Sequence, residues 1–225
     1  QRQGLFGRGR DRRHPAAPYN DAMPTFEPTL DCGTCVLRAW RADDAASLQR
    51  HADNPRVSRG LRDRFPSPYS AADAARYLAD CAEPHLDWRF ALTVAGEAVG
   101  GVGIHPGEDI YRHSAELGYW LGEAHWGRGL VVAALRVVVP AAMEHFRLHR
   151  VHAGVFAGNP ASMRVLERVG FQRDGVLPCA VVKRGELLDV HVYSVVRRSL
   201  DDAPVLNPSP WRGEGQGRGW RTGGA

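Results

Sequence analysis

Apolar residues recur with two different periods between about residues 34 and 199, and the two periods alternate along the chain. Segment 115–121 shows the period of two that is typical of a half-buried strand. Its alternation places four residues on one face: Ala115, Leu117, Tyr119 and Leu121. The opposite face carries Glu116, Gly118 and Trp120, so one charged side chain stands on this predicted strand.

Comparable patterns predict the remaining elements. Strands are expected at Val36–Trp40, Phe90–Val94, Val99–Ile104, Arg150–Phe156 and in a final pair around Arg184–Gly185. Helical spacing predicts helices at Asp43–His51, Ala71–Cys81, Leu130–Phe146 and Pro160–Val169. Ser70 is placed to cap the second helix. Pro140 is expected to kink the third, because proline removes a backbone hydrogen bond.

This order of elements indicates one α/β domain with a mixed sheet, which we expect to occupy residues 34–199. Residues 1–30 are rich in Arg, Gly and Pro, and residues 201–225 are of low complexity. Both tails are predicted to be disordered appendages, the first of them an extension if the natural start is Met23.

Charge and hydropathy argue against two classes of partner, nucleic acid and membrane. The chain has 29 Lys and Arg against 25 Asp and Glu, and the part between the tails is nearly balanced, which disfavours a nucleic-acid-binding face. The best apolar run, Leu130–Met143, is interrupted by Arg136 and Pro140 and is too short to cross a bilayer. We therefore expect a cytoplasmic protein without a membrane partner.

Cysteine and histidine spacing does not predict a metal site. Cys32 and Cys35 have the CxxC spacing, but no second pair completes a zinc set. His145 and His149 are four residues apart at a helix end, without the glutamate of a metalloprotease helix. We expect ordinary thiols, surface imidazoles and no bound metal.

The segment 118–136 carries the strongest functional signal. It combines a predicted strand, a turn in which Gly127 and Gly129 flank Arg128, and an apolar helix. Unpaired N–H groups at a helix N-terminus attract anions together with the helix dipole. Glycines allow the backbone to approach a ligand without an intervening Cβ. The sequence therefore predicts a phosphate-binding turn here.

Seven motifs then follow one another in a recognisable order: Leu37–Trp40, Phe65–Tyr69, Ala115–Leu121, Trp126–Gly129, Asn159–Ser162, Leu166–Phe171 and Asp174–Leu177. Their order resembles the GNAT acyltransferase superfamily, and within it the RimJ/RimL-like branch that acetylates ribosomal protein N-termini. The resemblance covers residues 34–199. It implies a mixed, mostly antiparallel sheet of about six to seven strands, flanked by helices and splayed between the fourth and fifth strands. It also implies an N-acetyltransferase that uses acetyl-CoA.

In this family the loop after the fourth strand binds the pyrophosphate of acetyl-CoA. The resemblance implies a set of cofactor-binding residues: Tyr119, Leu121, Trp126, Gly127, Arg128, Gly129, Leu130, Val131, Asn159 and Arg164. Two positions depart from the family pattern Gln/Arg-x-x-Gly-x-Gly/Ala. Trp126 stands at its first position, and Val131 at its last, where a bulkier side chain is expected beside the pyrophosphate.

Amide formation from a thioester needs a neutral amine and a thiolate that can leave. The resemblance makes Glu116 the candidate base for the amine, with a solvated strand residue as the alternative. Ser162 is the candidate proton donor to the thiolate, with a helix cap as the alternative. Asp189 and Tyr193 are expected to line the acceptor site.

The expected reaction is direct acetyl transfer, in a ternary complex, to a protein N-terminal amine or a small amine. A catalytically silent acyl-CoA-binding module, a different acyl-CoA donor and an amine drug as acceptor remain alternatives. Acceptor specificity is expected to reside in the loops Asp53–Ser70, Pro106–His113 and Cys179–Leu188. The sequence leaves the oligomeric state open, a homodimer included.

Overall fold

Strand pairing in the computed structural model, which describes residues 29–83 and 85–197, follows the predicted order of the chain. In that part of the chain one sheet contains β1 (Leu30–Asp31), β2 (Val36–Ala39), β3 (Trp88–Val94), β4 (Glu97–Pro106), β5 (Ser114–Leu121), β6 (Arg150–Phe156), β7 (Gln172–Lys183) and β8 (Glu186–Val196). The expectations for residues 1–28 and 198–225 lie outside the described residues. The sheet begins at Leu30, before the expected domain start at residue 34, and the two-residue β1 brings the strands to eight.

The strand order across the sheet is β1-β2-β3-β4-β5-β6-β8-β7. Every neighbouring pair is antiparallel except β5 and β6, which are parallel. The mixed, mostly antiparallel sheet is therefore confirmed. A parallel pair requires a long crossover connection, and the long helix between β5 and β6 provides it.

The helices agree with the predicted segments to within a few residues. They are α1 (Ala45–Ala52), α2 (Pro55–Ser58), α3 (Ala71–Ala82), α4 (Leu130–His145) and α5 (Pro160–Arg168). Ser70 caps α3 as predicted, by accepting a hydrogen bond from the backbone N–H of Asp73. The four-residue α2 lies in a segment predicted to be a loop. Pro140 lies inside α4, which continues through it, and a kink there stays a prediction.

Two hydrophobic clusters lie on opposite faces of the sheet. The larger contains the buried face of α4, with Leu135 and Val138 fully buried, together with Leu117 of β5. The rest of the protein covers α4 on most sides, which is consistent with the few polar positions in its sequence. The smaller cluster joins α1 and α3 to Trp120, which points away from Leu117 on the same strand. The face that carries Trp120 and Glu116 therefore lies beneath the segment 45–82.

Candidate active site

A groove opens where β5 and β6 separate. The two strands pair only at their first three residues, from Ser114 opposite Arg150 to Glu116 opposite His152. Beyond that point residues 117–121 of β5 and 153–156 of β6 diverge and line a groove of about 1660 Å³. This is the splay expected between the fourth and fifth predicted strands. It leaves one edge of β5 unpaired, with backbone N–H and C=O groups available to an extended ligand.

The turn between β5 and α4 presents a row of free backbone donors at the groove. Within the described residues, no protein acceptor is bonded to the backbone N–H groups of residues 127–132, and the first bonded donor is Ala133 N–H to the Gly129 carbonyl at 3.0 Å. The last three of these free N–H groups belong to the first turn of α4, where the positive end of the helix dipole lies. The turn is suited to an anion.

Gly127 and Gly129 both adopt a φ of +73°, in the left-handed region that favours glycine. A Cβ placed at either position would meet no atom within 4 Å. Both residues line the groove. These glycines are therefore required by the turn conformation, and the space beside them is free for a ligand.

Trp126 anchors the start of the turn. Its Nε1 donates to the carbonyl of Leu121 at 2.7 Å, and the Arg56 guanidinium lies 5.5 Å from the centre of its ring. Val131 is only 8% exposed and packs in the larger hydrophobic cluster. Its side chain is thus mostly buried, although the residue also lines the groove, and the expected crowding beside the pyrophosphate stays a prediction.

Nine of the ten predicted cofactor-binding residues line the groove: Tyr119, Leu121, Trp126, Gly127, Gly129, Leu130, Val131, Asn159 and Arg164. Arg128 is not among the described lining residues, and its guanidinium lies 3.1 Å from Nδ1 of His125. Arg164 and Arg168 of α5 add positive charge to the same groove wall. The groove therefore combines free amides, cationic side chains and an open strand edge.

Ser162 faces the groove and does not cap its helix. Asn159 is the cap of α5, because its Oδ1 accepts the Ser162 backbone N–H at 3.1 Å. The Ser162 hydroxyl is then free to pair with Tyr119, with 2.7 Å between Oγ and Oη. Burial raises the pKa of Tyr119 to about 12, against a smaller opposing effect of the Ser162 hydrogen bond. Tyr119 is therefore a protonated phenol at neutral pH.

Glu116 lies on the floor of the groove, on the face opposite the larger hydrophobic cluster. Its carboxylate Oε1 forms an ion pair with Nη2 of Arg62, from the segment between α2 and α3. The neighbouring Asp63 is bonded to Nζ of Lys183 at 2.6 Å. The segment thus contacts both the floor of the groove and the tip of the β7–β8 hairpin, and it partly covers the site.

A comparison with models of known protein families decides the family of this chain. The model of the acetyltransferase (GNAT) domain matches residues 35–172, more than half of the chain. The chain belongs to the GNAT family. Its place in the RimJ/RimL-like branch, recognised from the motif order, is supported by curated relatives that are named as ribosomal acetyltransferases. This GNAT protein is an acetyltransferase.

Two curated relatives and one solved structure illustrate the similarity. The uncharacterised N-acetyltransferase p20 of Bacillus licheniformis is 28% identical over 173 residues, which are 76% of this chain and 97% of p20. The ribosomal-protein-serine acetyltransferase of Escherichia coli is 30% identical over 105 residues, 47% of this chain and 58% of that protein. The structure of Mycobacterium smegmatis RimJ in complex with CoA-disulfide has a TM-score of 0.65 at 24% identity, covering 77% and 87% of the two chains.

The two acceptor-site residues predicted for this GNAT enzyme lie elsewhere. Tyr193 of β8 is 2% exposed, packs in the larger cluster and donates a hydrogen bond to Glu167 at 3.1 Å. Asp189 accepts the backbone N–H of Cys179 at 2.8 Å. Neither is among the described residues that line the groove. The geometry does not support their assignment as acceptor-binding residues.

Sequence reasoning missed the residues that surround Glu116 in this GNAT site. Arg62 reaches it from a distant segment, and the strand register places His105 of β4 and His152 of β6 on either side of it. Burial, followed by the nearby Arg150, lowers the pKa of His152, although Glu116 opposes this effect. Local alternation carried no signal for these neighbours, because they depend on which strands pair and in which register.

Proposed function

We propose that this GNAT enzyme transfers the acetyl group of acetyl-CoA directly to a primary amine. The observation that carries the proposal is the shared groove. The free amides of residues 127–132 lie at one part of it, and Glu116 and the Tyr119–Ser162 pair lie at another. One ligand that is anionic at one end and reacts at the other fits this arrangement.

The donor half of the proposal rests on charge and on open backbone. The pyrophosphate is held by the amides of the turn and by the helix dipole, with Arg164 and Arg168 nearby. The amide groups of the pantetheine arm extend along the unpaired edge of β5. When bound, acetyl-CoA supplies a thioester, whose acetyl group is activated toward attack by an amine.

The acceptor half rests on Glu116. An N-terminal amine has a pKa of about 7.8, and a lysine side chain has one of about 10.4. At neutral pH the lysine amine is therefore almost fully protonated, and the N-terminal amine is protonated in large part. The Glu116 carboxylate attracts the ammonium group and holds it at the floor of the groove. In the structure this carboxylate forms an ion pair with Arg62. A base function for Glu116, expected from the sequence, stays a prediction.

Tyr119 and Ser162 stabilise the departing thiolate. A thiol has a pKa of about 8.5, well below the pKa of about 12 of Tyr119. Complete proton transfer from the phenol to the thiolate would therefore be uphill. The hydroxyl pair instead donates a hydrogen bond to the sulfur, which lowers the barrier to C–S cleavage.

Direct transfer is supported by the composition of the groove wall. No cysteine is among its described lining residues, and the Ser162 hydroxyl is paired with a phenol rather than with an imidazole base. An acyl-enzyme intermediate would need an activated nucleophile. Simultaneous binding of both substrates, as in a ternary complex, is the pathway that these residues favour.

The acceptor that we propose first is a protein N-terminal amine. The relative from Escherichia coli is named as a ribosomal-protein-serine acetyltransferase, and a structure from Vibrio fischeri, 19% identical, carries the name ribosomal-protein-S5-alanine acetyltransferase. A free N-terminus is also the amine that needs the least deprotonation at neutral pH. Small amines remain the second acceptor class.

The experiment is a measurement of CoA thiol release by the purified chain with acetyl-CoA. The acceptors are peptides with N-terminal Ser or Ala, their N-terminally blocked counterparts with an internal lysine, and small primary amines. Release that depends on a free N-terminus supports the proposal. Micromolar acetyl-CoA binding without release on any acceptor identifies a silent acyl-CoA-binding module instead.

A further inference from the structure

His105 forms a dyad with Asp87 beside the groove. Nδ1 of His105 lies 2.6 Å from Oδ2 of Asp87, which also accepts a hydrogen bond from Nε of Arg89 at 3.0 Å. The Asp87 side chain is 16% exposed, and that of His105 is 31% exposed. Burial alone would raise the pKa of Asp87, but the hydrogen bonds from His105 and Arg89 outweigh it and bring the pKa to about 2. Asp87 is therefore an anion at neutral pH.

An anionic partner at Nδ1 decides the tautomer of a neutral imidazole. Nδ1 carries the proton that is donated to Asp87, and Nε2 keeps its lone pair. No hydrogen bond from the described residues reaches Nε2 of His105. This nitrogen is therefore available to a ligand, whereas the Glu116 carboxylate is already paired with Arg62.

Strand register places that nitrogen over the floor of the groove. His105 is opposite Glu116, and Gly103 is opposite Gly118 on the same face of β4 and β5. A Cβ at Gly103 would lie 2.6 Å from Nε2 of His105, so the imidazole ring occupies the space that glycine leaves open. His105, Gly103, Gly118 and Glu116 all line the groove. His105 and Glu116 are thus cross-strand neighbours that line the same groove, with Nε2 beside Gly103.

We propose that His105 is the catalytic base that deprotonates the acceptor amine, and that Asp87 is its positioning residue. The inference rests on the proposed acetyl transfer. Nε2 takes one proton from the ammonium ion bound at Glu116. The freed lone pair forms the new C–N bond as the C–S bond breaks, and the attacking nitrogen gives its second surplus proton to the departing thiolate, so that CoA leaves as the thiol. The proton held on His105 then passes to water.

The charged surroundings of His105 support a transient imidazolium. The charged side chains paired within the dyad, with its Asp87 or with Glu116 are Asp87, Arg89, Asp80, Glu116 and Arg62. Three are carboxylates and two are guanidinium groups, each guanidinium being paired with carboxylates. An imidazolium at His105 would be balanced by the Asp87 carboxylate to which its Nδ1 is already hydrogen bonded.

Kinetic measurements distinguish the role of the His105–Asp87 dyad from that of Glu116. We expect His105→Gln to lower kcat about 10²-fold, as for the loss of a general base, with the dissociation constant for acetyl-CoA within about twofold of wild type. His149→Gln is the matched control, since His149 lies outside the groove-lining residues. With one acceptor throughout, Asp87→Asn should lower kcat less than His105→Gln does, because the imidazole remains but is no longer held by its carboxylate partner. Its acetyl-CoA affinity should also stay within about twofold of wild type.

Histidine NMR supplies a readout that does not depend on turnover. In ¹⁵N-labelled free enzyme we expect neutral His105 to be the Nδ1–H tautomer, and this preference to be lost in Asp87→Asn, because Asp87 is the partner of Nδ1. An active wild type whose rate and pH profile survive His105→Gln overturns the inference while the proposed function stands. A wild type that releases no CoA with any amine overturns the proposed function and the base together. An Nε2–H tautomer of His105 contradicts the dyad directly.

Discussion

The hydroxyl oxygens of Tyr119 and Ser162 lie 2.7 Å apart and connect β5 to the first turn of α5 at the groove. Neither side chain could be placed against the other from the sequence, since 43 residues separate them. Their contact depends on Asn159, which caps α5 and leaves the Ser162 hydroxyl free. The pair is the structural basis of the proposed stabilisation of the leaving thiolate.

Removal of either hydroxyl should slow chemistry without weakening acetyl-CoA binding. A hydrogen bond to a charged group contributes about 1.5–3 kcal/mol, so Tyr119→Phe and Ser162→Ala should each lower kcat about 10–100-fold. Because the two groups act as one unit, the double variant should lose less than the product of the two effects. The check is steady-state CoA release with calorimetric acetyl-CoA binding, and exposed Tyr111→Phe is the control. Fully multiplicative losses would contradict a coupled pair.

Gly129→Ala should weaken acetyl-CoA binding, and Gly96→Ala should not. Both glycines have a positive φ and neither Cβ would meet an atom within 4 Å, so both variants incur a similar strain of about 1–2 kcal/mol. Only Gly129 belongs to the turn that lines the groove. Thermal unfolding measures the shared loss of stability, and calorimetry measures the affinity. Equal acetyl-CoA affinity in the two variants would show that the turn is not the phosphate site.

Glu116→Gln and Arg62→Ala should change the acceptor KM in opposite directions. Loss of the carboxylate removes the charge that holds the ammonium group, so KM should rise about tenfold or more at neutral pH. Loss of Arg62 frees the carboxylate, so KM should fall. Initial rates over a range of acceptor concentrations test both. The control is Arg50→Ala, an exposed arginine that is ion-paired with Glu97 and is not among the described residues that line the groove. A fall in kcat of Glu116→Gln as large as that of His105→Gln, at unchanged KM, would instead restore Glu116 as the base.

Asp44→Asn should destabilise the fold more near neutral pH than at acidic pH. Asp44 and Arg38 form a buried pair with 2.7 Å between Oδ2 and Nη1, and loss of one partner leaves the other charge unpaired, at a cost of about 3 kcal/mol. Burial opposes ionisation of Asp44, but the hydrogen bonds from Arg38 and from the Arg41 backbone lower its pKa. Because the pKa of Asp44 is lower in the folded than in the unfolded protein, the ionised carboxylate stabilises the fold at pH values above the unfolded-state pKa. This stabilisation is lost as the pH falls through the folded-state pKa.

Urea unfolding at pH 6 and at pH 3 measures this dependence. The difference between wild type and Asp44→Asn should be largest at pH 6 and should narrow at pH 3, because protonation weakens the pair in the wild type alone. Asp43→Asn, at the exposed neighbouring position, should differ little from wild type at either pH. A gap that stays constant with pH would exclude the ion pair as its cause.

Local periodicity was sufficient for most of the elements. The period of two in 115–121 reflects a strand with one buried face, and the apolar run 130–146 reflects a helix that is buried on most faces. The structure confirms both segments. Strand β1 was missed because two residues are too short to show a period. Tyr193 was assigned to the acceptor site from the family pattern, whereas its buried position on β8 follows from strand pairing that the sequence does not display.

The sequence by itself determined the family, the order of the elements and the glycine turn at 127–129, because each of these depends on residues close together in the chain. Only the tertiary structure decided the partners of Glu116. Arg62 lies 54 residues from it in the chain, and His105 reaches it through the register of β4 and β5. Long-range pairings of this kind arise from how strands align and how loops pack over them. The free nitrogen of His105 and the occupied carboxylate of Glu116 are consequences of that packing.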